Sequence, residues 1–384
     1  MVECSTKNKL RNIVDTPFYS KLLGALPTGC RMCVKGEKMV LYATGVCPRS
    51  CWYCPLGENR KDQDVIFSNE ATVKSFEDIV EECEMSQAKG CGITGGDPLA
   101  RLDRTVEYIV KLKEKFGSKF HIHLYTTFVL CSAENMKRLY DAGLDEIRFH
   151  PDFDKLEDMM RIDNALKYDW EVGIEIPCIP RYEKQIFEMI DYMEGKNVSF
   201  LNVNEFEVAG TNMDKMEEEG YEAKDIDSHG VEGSDELGDK ILEYCQDKKI
   251  NVHYCSSTLK DRVQMTNRYK LRAEKVKTKF DEVTEDGQLY RGCIYLKGFA
   301  LRDMLSDEYK STPREEIIKK LNEKKEFLEE EGLELIVDEK KLRLITYPEH
   351  VEQFAEVLNE LDLVPALVEE DPTVKAYETD IDYL

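Results

Sequence analysis

The sequence predicts an α/β protein: a partial (βα)6 TIM-like barrel followed by an α+β ferredoxin-like unit. Three observations carry that expectation. Strand-like and helix-like segments alternate from Lys38 onward, in about six βα units where a full barrel has eight. Several of the strands read as continuous β-rich runs, the pattern of a parallel sheet covered on both faces. Beyond Asp286-Gly287 the rhythm changes to the order β-α-β-β-α-β.

Taken in order, residues 1–37 form an extension, read as a short helical segment over 8–26 broken by Pro17 and a turn at 27–29 that leads to Cys30 and Cys33. Residues 38–256 make the barrel, with helices expected at about 75–89, 101–116, 132–142, 154–167, 182–195 and 235–248. The acidic, glycine-bearing stretch 209–234 reads as a solvated connection, with a lid as the alternative. Residues 257–290 hold a helix rich in Lys and Arg, then a linker. Either this is a solvated face or it docks an acidic partner such as RNA or a ferredoxin. Residues 291–384 form the α+β unit, with helices at 313–331 and 349–361.

Composition narrows the function classes. The 384 residues carry 77 acidic against 53 basic side chains, a formal net charge of −24, which disfavours bulk binding to nucleic acid or anionic lipid. No apolar run reaches the roughly 18 residues of a membrane span, and the N-terminus lacks the apolar core of a secretory signal, so a cytoplasmic location is expected. In that reducing setting thirteen cysteines, several closely spaced, read as metal or catalytic ligands rather than disulfides.

The central segment is Gly45-Val46-Cys47-Pro48-Arg49-Ser50-Cys51-Trp52-Tyr53-Cys54, directly after the first barrel strand. Three thiolates in one loop reach three corners of an iron–sulfur cube and leave one iron open, unlike the four-cysteine closure of an electron-transfer cluster. Zinc is the competing ligand chemistry. One strand later comes Thr94-Gly95-Gly96-Asp97-Pro98, whose glycines admit close backbone approach to a ligand and whose carboxylate complements an ammonium. Thr126, Thr127, Glu175, Asn202, Asn204 and Glu205 sit at later strand ends, where ligands of parallel sheets bind. Cys30, Cys33, His253 and Cys255 could form a second metal site, holding zinc or an auxiliary cluster. The remaining cysteines read as small buried hydrophobes, except Cys4, which has no evident partner.

The cysteine loop and Gly-Gly-Asp-Pro resemble the radical S-adenosylmethionine (SAM) superfamily, over roughly residues 38–255. The run from Cys30 to Cys51 resembles, within it, an archaeal group loosely related to the pyruvate formate-lyase activating enzyme. The resemblance implies that Cys47, Cys51 and Cys54 hold a [4Fe–4S] cluster and that Tyr53, Gly95, Gly96, Asp97, Thr126 and Glu175 contact SAM. It further implies reductive cleavage of SAM to a 5′-deoxyadenosyl radical that abstracts hydrogen from a substrate, with a low-potential donor such as ferredoxin or flavodoxin supplying the electron. The substrate is open between a protein, an RNA and a small molecule. A glycyl-radical activating enzyme, an RNA-modifying enzyme and a non-enzymatic zinc-binding interaction protein are the alternatives.

Overall fold

The computed structural model describes residues 10–224 and 229–384, in two compact units divided between Arg268 and Tyr269. Seven strands of the first unit lie parallel and adjacent in chain order: β1 (Lys38–Tyr42), β2 (Gly90–Thr94), β3 (His121–Thr127), β4 (Glu146–His150), β5 (Glu171–Cys178), β6 (Phe200–Glu205) and β7 (Asn251–Cys255). Helical segments return the chain between them: Phe76–Met85, Leu102–Phe116, Ala133–Asp141, the 3₁₀ turn Leu156–Asn164, Glu183–Glu194 and Ser234–Tyr244. The 154–167 segment is thus 3₁₀ rather than α.

The strands largely alternate between two faces, where continuous β-rich runs were expected. Residues such as Met39, Ile93, Leu124, Phe149, Ile174 and Val203 point to the helix side and join one hydrophobic core. The intervening positions carry Lys38, His123, Arg148, Glu175, Asn202 and His253, which share the opposite face through the register of neighbouring strands. Burial is high on both faces, but only one is apolar.

Two expectations for the N-terminal extension are corrected. Residues Ile13–Asp15 and Lys21–Leu23 form an antiparallel hairpin that extends the sheet beyond β7, with Pro17 in its turn. A proline between two short apolar runs marks a reversal as readily as a broken helix. Of the turn expected at 27–29, Thr28 and Gly29 instead open a helix, α1 (Thr28–Val34), which carries Cys30 and Cys33. Its Gly29 N–H donates to Glu146 at 2.9 Å, and a Cβ at Gly29 would lie 2.5 Å from Arg148 Nη2. Only glycine lets α1 approach the polar face that closely.

The described residues of the stretch 209–234 are packed rather than merely solvated. Met216 and Val231 enter the core, Tyr221 stacks on Trp52 at 5.8 Å, and Asn212 Nδ2 donates to Tyr53 O at 3.2 Å. The basic run is paired in part: Lys260 with Glu207, Arg268 with Glu70, Lys277 with Glu274 and Lys279 with Glu334.

In the second unit, β8 (Leu289–Leu296), β9 (Ile336–Asp338), β10 (Arg343–Thr346), β11 (Leu363–Glu370) and β12 (Glu378–Tyr383) form an antiparallel sheet in the order β9-β10-β8-β11-β12. Helices Arg314–Glu330 and Pro348–Glu360 close its apolar side around Ile294, Leu321, Leu344 and Val351. Strand β12, absent from the sequence expectation, brings Glu378 to the wholly buried Arg343, which also pairs with Asp338 and Glu370.

Candidate active site

Cys47, Cys51 and Cys54 are free, half-buried thiols on the loop after β1. They line a cavity of about 370 Å³ with Gly95, Gly96, Thr126, Thr127, His150, Glu175, Asn204 and Lys260. The cysteine loop follows β1 and Lys260 follows β7, so the first and last parallel strands meet over one cavity. The sheet therefore curls around its polar face.

Burial pushes the Cys47 thiol up to about 11, with Asp97 and the two neighbouring thiols adding to the rise, and burial raises Cys51 against the opposing charge of Arg49. Thiols held protonated in this way release their protons when a metal supplies the compensating charge. Among the described residues, the one set of three His, Cys, Asp or Glu ligand atoms within 4.8 Å of one another is His121, His123 and Glu146. At least one pair of the loop thiols thus lies more than 4.8 Å apart, beyond the roughly 4 Å between thiolates on a zinc ion with 2.3 Å bonds. An iron–sulfur cube accommodates the wider spacing.

The Gly-Gly-Asp-Pro segment lines the cavity through Gly95 and Gly96 and also packs against the same loop. A Cβ on Gly96 would come within 2.5 Å of Gly45 O and 2.6 Å of Val46 O, and one on Gly95 would collide with Thr44 O. The glycines let two backbones pack together, joined by Gly96 N to Thr44 O at 2.8 Å and Asp97 N to Val46 O at 2.9 Å. Asp97, expected to receive an ammonium, is wholly buried and turned away from the cavity. Its carboxylate accepts from Leu99 N, Thr126 Oγ1, Thr127 N and Thr127 Oγ1, at 2.9–3.0 Å. Burial raises its pKa against these four donors. Asp97 therefore ties the glycine segment to the end of β3. Asp97→Asn turns one acceptor oxygen into a donor facing Thr127, and it is expected to cost about 2 kcal/mol, read by denaturant titration.

Glu175 reaches the cavity but is also engaged. Its carboxylate accepts from Arg148 at 2.7 Å and from Asn202 and Asn204 at 2.9 Å each. Burial raises its pKa, and these three partners outweigh that and leave it lowered. Glu205 is held by Lys224 at 2.5 Å and by Ser257. Tyr53 lines the cavity and shares a 2.8 Å hydrogen bond with His150 Nε2.

The four residues named for a second metal site are not brought to metal-binding distance. Asn202 Nδ2 donates to Cys30 Sγ at 3.1 Å and Arg148 Nη2 lies 3.5 Å from it. Cys255 packs with Val34 and Leu259, and His253 is buried with neither ring nitrogen hydrogen-bonded. No three of them belong to a set within 4.8 Å among the described residues. His121, His123 and Glu146 do approach one another, but Lys38 Nζ already lies 2.8 Å from His121 Nδ1 and Arg148 already pairs with Glu146. Two cations occupy the place a metal's charge would take. Cys83, Cys91, Cys131, Cys178, Cys245 and Cys293 are buried as expected, and Cys4 lies outside the described residues.

Sequence reasoning missed Lys38, His123, Arg148, His150 and Lys260. The signal was the polar–apolar alternation of His121-Ile-His-Leu-Tyr and Glu146-Ile-Arg-Phe-His.

The chain is similar to known proteins. The family model for the Radical SAM superfamily matches residues 41–176. A protein of Methanocaldococcus jannaschii, provisionally named a glycyl-radical enzyme activating enzyme, is 42% identical over 280 residues, 70% of this chain and 73% of its own length. Two structures of a radical S-adenosylmethionine methyltransferase from Kitasatospora setae align with TM-scores of 0.36 and 0.38 at 11% and 10% identity. They cover 61% and 63% of this chain, which spans about half of theirs, 52% and 53%, and likeness at that level carries no argument. The relative and the matched family together identify the chain: it belongs to the radical SAM superfamily and is an enzyme that works with a [4Fe–4S] cluster and S-adenosylmethionine.

Proposed function

We propose that Cys47, Cys51 and Cys54 hold the cluster and that the adjoining cavity takes SAM and the reacting part of a substrate. The observation that carries this reading is the shared cavity: three thiols and the Gly95–Gly96 backbone line one space at the carboxyl ends of parallel strands. Held by Cys47, Cys51 and Cys54, a cluster would supply the electron for reductive cleavage of SAM and so for hydrogen abstraction from the substrate. The chain's own residues bind and shield. Gly95 and Gly96 offer backbone groups, Glu175 is held in its ionised form by Arg148, and the Lys260–Glu207 pair, 2.5 Å apart, helps enclose the space. Anaerobic reconstitution with a strong reductant is expected to yield 5′-deoxyadenosine and methionine. Protein that takes up no iron, or leaves SAM intact, would overturn the proposal.

For the substrate we favour the glycine of a partner polypeptide, because the M. jannaschii relative carries the name of a glycyl-radical enzyme activating enzyme. A stable radical signal on that partner after incubation with SAM is the expected result, and its absence under reducing anaerobic conditions sinks this version. The RNA reading loses part of its support, since Lys260, Arg268, Lys277 and Lys279 of the basic run are ion-paired. A low-potential ferredoxin or flavodoxin remains our reading for the donor.

We read residues 38–256 as the partial barrel, supported by the curling of seven parallel strands over one cavity. The extension 1–37 feeds a hairpin into that sheet, and 257–290 leads out of it. We read 291–384 as ferredoxin-like, supported by the strand order of β8 to β11 and the two helices on one side. Among the described residues no helix is long and apolar enough to cross a membrane.

A further inference from the structure

We propose that His150 is a positioning residue: through Tyr53 it fastens the cysteine loop to the end of β4 and shapes that loop before any metal binds. The inference rests on Cys47, Cys51 and Cys54 as the ligand set. The loop leaves β1, while His150 closes β4, two strands away across β2 and β3. Nothing in the local chain brings them together, so the contact must be made by side chains.

The hydrogen-bond pattern sets the imidazole's tautomer. His150 Nδ1 lies 3.1 Å from the Glu175 carbonyl oxygen, which can only accept, so Nδ1 carries the hydrogen. Nε2 is then the acceptor, and the Tyr53 hydroxyl donates to it at 2.8 Å. Tyr53 stands between Cys51 and Cys54, and its ring meets the imidazole edge-on at 5.8 Å. A second tie runs parallel to the first. Arg49 Nη1 donates to Pro151 O at 2.9 Å and Nη2 lies 3.4 Å from Asp152. From the other side Asn212 holds the Tyr53 carbonyl. The end of β4 thus grips the loop on either side of Cys51. Pre-organisation of this kind lowers the ordering cost of ligand capture.

The test compares iron-free wild type with His150→Phe, His150→Gln and Tyr53→Phe by hydrogen exchange. Phenylalanine keeps a ring but accepts nothing, and it is expected to speed exchange across residues 45–56 about 10-fold while leaving Leu102–Phe116 unchanged. Glutamine, whose amide oxygen can accept the tyrosine hydroxyl, is expected to restore slow exchange. If His150→Phe fails to fold, Tyr53→Phe decides, since it removes one hydroxyl only and is expected to loosen the same segment. After reconstitution, the change that SAM causes in the electron paramagnetic resonance signal of the reduced cluster is expected to shrink in His150→Phe and return in His150→Gln. Unaltered exchange over 45–56 in Tyr53→Phe, or equal loosening in the glutamine variant, overturns the inference. The ligand assignment has a separate outcome, because it is read from the iron content of the wild type and the cysteine variants and not from exchange over 45–56.

Discussion

Cys51→Ala is expected to abolish the chemistry: 5′-deoxyadenosine formation falls by on the order of 10⁴, with the loss of the visible absorbance of the cluster and most of the bound iron. Cys47→Ala and Cys54→Ala are expected to match it. The reasoning is one of denticity. The loop brings three thiols to one cavity, and a cube held at two corners has exposed iron and no defined orientation toward SAM. The control is the pair Cys30→Ala and Cys33→Ala. Cys30 accepts from Asn202 on the polar face beneath the cavity, and neither thiol lines the cavity, so full iron content is expected in both. Iron analysis of anaerobically purified variants checks the comparison. Full iron in Cys51→Ala, or its loss in Cys30→Ala, would reverse the assignment.

The ligand loop was legible in the sequence because its message is local: three cysteines, their spacing, and a strand before them. The glycine segment was legible as a motif, but its packing was not. Close packing of Gly96 against Gly45 and Val46, and the four donors around Asp97, are contacts between distant segments that no local pattern encodes. Strand positions were recovered well because β-branched runs bounded by turn residues report on the backbone directly. The facing of those strands was not, because buried polar residues look like noise in a hydrophobicity reading until their register is known. Arg148 is the plainest case. It sits one residue from Phe149, with the arginine pointing to the polar face and the phenylalanine into the apolar core.

That polar face gives the largest stability effect. Arg148 is 2% exposed, pairs with Glu146 and Glu175, and lies 3.0 Å from the Tyr125 hydroxyl. A methionine there would fill much of the volume but leave two buried carboxylates without their cation. Breaking a buried pair from one side costs about 3–5 kcal/mol, so Arg148→Met is expected to lower the melting temperature by roughly 10 °C. Acid dependence separates this cause from simple misfit. The folded pKa of Glu175 lies below its ordinary 4.5 despite burial, chiefly because of Arg148. Its stabilising contribution is therefore complete above that ordinary value and is lost as pH falls through the lowered one. In Arg148→Met burial prevails and the folded pKa moves above the ordinary value. The variant's deficit then persists at neutral pH and is partly relieved as the carboxyl takes up a proton. Denaturant titrations at pH 7 and near pH 5 are expected to show the gap to wild type narrowing in acid. A gap that is independent of pH would mean that lost packing, not the stranded charges, accounts for the cost.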